Sequence, residues 1–178
     1  MHPNYQIIVF QAAYMISCTT FLLADTAFHD IALMKVRGQI KIDGTYVAIA
    51  NLPRAENTNN IPEVDSVNFV VGFGCTSTGG EMASRAQLLG LKTNTKEECA
   101  YAYSIPFVDH LTHFCAGYFH ENRDLCLGDS GSGLISFQHG QPMIVGVFSV
   151  LITNDTSNFP GKFMRVAAYV PWIRQYIG

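Results

Sequence analysis

Short apolar runs separated by turn-forming residues constrain this chain more than any other feature. From Asp30 onward such runs occupy residues 31–36, 45–52, 67–71, 87–91, 133–137 and 143–151, with clusters of Gly, Pro, Asn and Asp between them. Strands at this spacing predict antiparallel barrels or a sandwich. The period changes only at the end. Val166, Val170, Ile173 and Ile177 stand at helical spacing with Pro171 near the start, which predicts a single C-terminal helix within 165–177. Residues 51–61 (NLPRAENTNNI) read as a long linker, too polar to pack.

The totals exclude several classes. At 178 residues, 48% hydrophobic and 14% charged, the chain is long enough for one good core and is globular rather than disordered. A net charge of -3 with no Lys/Arg cluster leaves no electrostatic footprint for nucleic acid. The five cysteines, at 18, 75, 99, 115 and 126, show none of the paired spacing of a zinc site, and no metal or cofactor is indicated. Widely spaced single cysteines suit disulfides in a secreted, extracellular protein, although an odd number leaves at least one unpaired. The sequon Asn154-Asp155-Thr156 points to the same compartment.

Ahead of Asp25 the only residue of the Asp/Glu/Lys/Arg/His set is His2, and residues 7–24 (IIVFQAAYMISCTTFLLA) resemble a signal-peptide core or a marginal membrane span. A basic flank is lacking, and Gln11, Ser17, Thr19 and Thr20 dilute the run, so no stable membrane association is expected.

The chemistry centres on Ser130, within Gly128-Asp129-Ser130-Gly131. A serine hydroxyl is a poor nucleophile unless a base takes its proton and donors stabilise the oxyanion that forms. Glycines on both sides permit a tight turn that exposes the hydroxyl and lets the N–H groups of Gly128 and Ser130 point into one hole. The triplet alone is a common turn; the string CAGYFHENRDLCLGDSGSGL at 115–134 is far more specific.

That string resembles the nucleophile region of the trypsin/chymotrypsin family of serine proteases. The resemblance makes Ser130 the nucleophile, Gly128 and Ser130 the oxyanion hole, and Asp124 the pocket carboxylate that selects Arg or Lys. HDIALMKV at 29–36 is similar to the segment bearing the triad carboxylate, which gives that role to Asp30. VGVFSV at 145–150 is similar to the strand lining the substrate cleft, with Ser149 as its serine, and Pro160-Gly161 to the pocket-closing pair. The resemblance also implies a Cys99–Cys115 disulfide. The cysteine that the family pairs with Cys126 is absent, and Cys75 is the expected substitute. Leu125 and Leu127 are expected to make the pocket rim apolar, and Leu151 to narrow its entrance.

The implied fold is all-β, a trypsin-like double β-barrel whose second barrel is complete and whose first is only partial, with a C-terminal helix. Residues 1–24 form an atypical N-terminal segment and 25–178 the protease domain, with part of the first barrel at 25–55 and the second barrel and helix at 62–178. His2-Pro3-Asn4-Tyr5 resembles a stretch found shortly before the triad-Asp segment, and joining it to residues 24–30 gives a continuous family-like sequence. Residues 7–23 then read as an insertion, with a signal or anchor segment and a genuine extra strand or helix as the other readings.

The family's general base, a histidine in a TAAHC-like motif, has no counterpart here. His29 adjoins Asp30, but neighbouring side chains on an extended backbone face opposite ways. His110 and His113 are expected to face solvent, as are His120 and His139. The activated N-terminus is also absent, so Asp129 is expected to lie buried without its cationic partner, a costly arrangement unless the loop rearranges. The chain reads as an N-terminally truncated serine-endopeptidase homologue with Arg/Lys preference, inactive as given. Its partners would be protein or peptide substrates and protease inhibitors. The other reading is a secreted, non-catalytic binding or regulatory module.

Overall fold

The computed structural model describes residues 5–10, 29–37, 40–54, 60–77, 79–103, 110–121, 125–150 and 159–177. Eight strands and two helices follow in order: β1 (Tyr5–Phe10), β2 (Ala32–Arg37), β3 (Val67–Gly72), β4 (Gln87–Lys92), α1 (Lys96–Tyr103), β5 (His113–Ala116), β6 (Gly133–Gln138), β7 (Gln141–Val150), β8 (Gly161–Arg165) and α2 (Val166–Ile177). The fold is a trypsin-like all-β architecture with a C-terminal helix. Among the described residues no helix is long and apolar enough to cross a membrane.

Six strands form one antiparallel sheet in the order β4-β3-β6-β7-β8-β5. The sheet curls until its ends meet: Thr93 bridges Ala116, and Gly117 N–H donates to Lys92 O at 2.9 Å. Register shifts occur opposite Leu134/Ile135 and between Phe148 and Val150, where bulges increase the local bend. The barrel encloses Val70, Leu91, Phe114, Leu134, Val145, Phe148 and Phe163. Against its outer side, α2 packs Val166, Tyr169 and Ile173 on Val147 and Met164, and Ile31 joins this second cluster. Of the residues read at helical spacing, Val166 and Ile173 lie in this cluster and Val170 is buried, whereas Ile177 is exposed.

β1 and β2 make a separate two-stranded pair, with Tyr5 opposite Arg37 and Phe10 opposite Ala32. The start of the apolar stretch that reads as an insertion is thus a strand; residues 11–28, Cys18 among them, lie outside the described residues.

Several local expectations are corrected. The apolar run at 45–52 is not a strand. Asp43 Oδ1 accepts the N–H groups of Thr45, Tyr46 and Val47 at 2.9, 2.8 and 3.1 Å, which folds its start into a turn. The linker at 51–61 is packed at both ends: Ile144 N–H donates to Asn51 O, and Ile61 is buried in the barrel cluster. A second helix, α1, precedes the C-terminal one. It starts with a capping box in which Thr95 N–H donates to Glu98 Oε2 at 2.8 Å and Glu98 N–H to Thr95 Oγ1 at 3.1 Å.

Candidate active site

The turn bearing Ser130 is built around a buried carboxylate. Asp129 Oδ1 accepts the Gly74 N–H at 2.7 Å and Oδ2 accepts the Cys126 N–H at 2.9 Å. Where a cationic partner was expected to be missing, two backbone N–H donors meet the buried carboxyl group. Gly72 and Gly74 make the seat, since a Cβ at either would collide with the carboxylate. Gly128 has φ +95°, and a Cβ there would meet the Met82 side chain and lie 3.2 Å from Gly74 Cα, so glycine is required twice over.

Ser130 itself is exposed. Gly131 N–H donates to Phe148 O at 2.9 Å, and Phe148 N–H donates to Ser132 O at 2.9 Å. These bonds lay the turn along β7, beside Ser149. The buried Ser149 donates its Oγ–H to Asp30 Oδ2 at 2.8 Å, across 119 residues of sequence. Asp30, half-buried just ahead of β2, is thereby held beside the Ser130 turn. Its neighbour His29 goes elsewhere: His29 Nδ1 lies 2.7 Å from the Tyr169 hydroxyl on α2. The two neighbours take different partners at a tight backbone turn, in which Ile31 N–H donates to His29 O at 2.8 Å.

Gly161, at the start of β8, faces Leu125 and Phe148; a Cβ there would come within 2.7 Å of Leu125 Cδ1. Leu125 is buried in the barrel cluster and does not form a rim, a correction that follows from this contact; Leu127 alone of the two is exposed. Asp124 and Leu151 lie outside the described residues. Disulfides join Cys99 to Cys115 and Cys75 to Cys126. His113 corrects another expectation: it opens β5 fully buried, with Nδ1 2.9 Å from Thr112 Oγ1, because this strand is buried along its whole length. His120 and His139 are exposed at positive φ, and His110 is half-buried.

Two cations on β8 escaped the sequence reading. Lys162 is 3% exposed, with Nζ 5.9 Å from the Tyr103 ring centroid. Burial pushes its ammonium below the ordinary lysine range, while the negative charge of Asp30 pulls it back up. Arg165 donates to Ile61 O at 2.7 Å and His113 O at 3.1 Å, and burial pushes its guanidinium down to about 10. The signal lay in two positive residues inside an otherwise apolar stretch, GKFMRV. Tyr103, at the end of α1, pins the strands above them by donating to Pro160 O at 2.7 Å and Val150 O at 3.1 Å.

Comparison with known proteins agrees with this architecture. The clotting factor G beta subunit of Tachypleus tridentatus is 31% identical over 161 residues, covering 83% of this chain and 50% of that protein. The chain thus spans about half the length of the curated relative it matches. The Trypsin family profile matches residues 7–173, nearly the whole sequence. The chain belongs to the trypsin family of serine proteases.

Proposed function

We propose that this chain carries the nucleophile-bearing part of a secreted, trypsin-like serine endopeptidase that cuts proteins or peptides after Arg or Lys. The observation that carries the reading is the Ser149–Asp30 hydrogen bond beside the Ser130 turn. It joins Ser149 to a carboxylate far away in sequence, while Phe148, the residue before Ser149, is bonded to the turn at Gly131 and Ser132. In this reading Ser130 Oγ attacks the scissile carbonyl, and the N–H groups of Gly128 and Ser130 stabilise the oxyanion. Asp30 orients the base, Asp124 receives the basic side chain, and Ser149 and Gly161 line its path.

The 178 residues hold no TAAHC-like histidine motif, and His29 is engaged with Tyr169. These residues by themselves are therefore proposed to bind basic side chains without hydrolysing the bond. Loss of the base from a triad that acts as a unit costs about 10⁶ in turnover. The second reading, a non-catalytic binding module, is favoured by the missing histidine motif.

Calorimetry with an aryl amidine, a planar mimic of the arginine side chain, tests the pocket. Binding is expected, with an Asp124→Ala loss of about tenfold or more, the effect of removing a paired carboxylate from a cation. Equal affinity for both proteins rejects Asp124 as the selecting group.

A further inference from the structure

The two disulfides stand in different surroundings. Cys99–Cys115 ties α1 to β5, and both cysteines are fully buried. Cys75–Cys126 ties two loops, and Cys75, on the segment leaving β3, is half-buried. This second bridge stands next to the donors that hold Asp129. One donor is the N–H of Cys126 itself, and the other is that of Gly74, the residue before Cys75. The same loops share one more bond, Cys75 N–H to Leu127 O at 2.9 Å. A cavity opens beside them, lined by Gly74, Cys75, Thr76, Leu88, Leu125 and Asp129, so Cys75 and the carboxylate border one space.

We propose that the Cys75–Cys126 bridge is a redox-operated latch on the Ser130 turn, opened by an external dithiol that releases Asp129 from its two amides. A thiolate of the dithiol attacks the Cys75 sulfur, the more accessible of the pair, and expels the Cys126 thiolate. The second thiol of the reagent then closes on the mixed disulfide and frees Cys75. The bridge gains two electrons and two protons, and the dithiol leaves as its own disulfide. With the bridge open, hydrogen bonds alone tie residues 74–77 to the nucleophile turn, and the separation of the two amides is no longer fixed. The buried bridge is the internal control, since burial closes Cys99 and Cys115 to attack. The latch rests on this geometry alone and holds whether or not Ser130 is a nucleophile.

The test uses the full chain, titrated with dithiothreitol, with alkylation mapping and amide hydrogen exchange on the same samples. Cys75 and Cys126 are expected to alkylate at lower dithiol than Cys99 and Cys115. In those samples the Gly74 and Cys126 amides should exchange about tenfold faster or more, as expected for losing a bond to a charged acceptor, while Phe163 stays protected. An unreduced Cys75→Ser/Cys126→Ser chain should show the same fast exchange, and if that variant does not fold the dithiol series decides alone. Alkylation of all four cysteines together, alkylation of Cys99 and Cys115 first, or alkylation without faster exchange at Gly74 and Cys126 overturns the latch.

Discussion

The β5–β8 wall and the Ser130 turn belong to the same barrel and are held by opposite means. Every residue of β5 and β8 is buried, and Phe114 stacks on Phe163 with ring centroids 5.5 Å apart and planes 14° from parallel. On the Ser130 turn, Gly128 and Ser130 are exposed, and one carboxylate, two amides and a disulfide fix the chain. The wall is specified by volume, since close-packed side chains admit few alternatives. The turn is specified by donors and acceptors, so it responds to charge and redox state with no cavity being made. A scaffold can thus be rigid along one wall of its barrel and chemically adjustable at the turn that bears Ser130.

The comparison is broken most directly at its packed side. Phe163→Ala should cost ~3–5 kcal/mol in urea unfolding, the usual range for deleting a buried aromatic ring. That is a large share of a domain's total stability. A loss no larger than that of a surface substitution would show that the wall is not close-packed. On the other side, Asp129→Ala should cost about 2–4 kcal/mol, because it strands two buried N–H donors rather than opening a large void. Asp129→Asn should recover only part of the loss, since its amide offers one acceptor and sets a donor against the other N–H. Equal stabilities for the unmodified chain and both of these variants would mean that the carboxylate does not organise the turn.

The smallest effect sharpens the contrast between a buried and an exposed carboxylate. Asp43 also gathers backbone N–H groups, from Thr45, Tyr46 and Val47, but does so in full solvent. The bonds from Tyr46, Val47 and Thr45 hold its carboxyl below the ordinary value of 3.8. A depressed folded-state value makes its contribution fully present above pH 3.8 and lost as the pH falls through the lower, folded value. Amide shifts of these three residues should therefore move together only in that acid window. A transition above it would contradict the bonding.

Much of the candidate site was legible because its residues are dictated by chemistry. Ser130, Gly128 and Asp129 sit in one short string, and Asp30 and Ser149 each lie in a recognisable sequence segment. What escaped reading depends on tertiary context. β8 carries Gly161, Lys162 and Arg165 among its five residues, and only the walls around it make the strand fully buried. α1 has just two buried residues, Cys99 and Ala102, so its apolar signal is weak, although the Thr95/Glu98 capping box marked its start. The run at 45–52 carried strand-forming residues, yet Tyr46 is 90% exposed and the Asp43 carboxylate claims the first amides. Leu125 read as rim because it stands beside Cys126, as Leu127 does; the absence of a side chain at Gly161 leaves room for Leu125 to turn in.

The proposed function makes Ser130 a nucleophile with Asp30 as its orienting carboxylate and with no base supplied by the 178 residues. Hydrolysis of an Arg or Lys amide by this chain, measured beside its Ser130→Ala variant, tests it most directly. Indistinguishable rates are expected for the two proteins. Turnover by the unmodified chain that Ser130→Ala abolishes would contradict it.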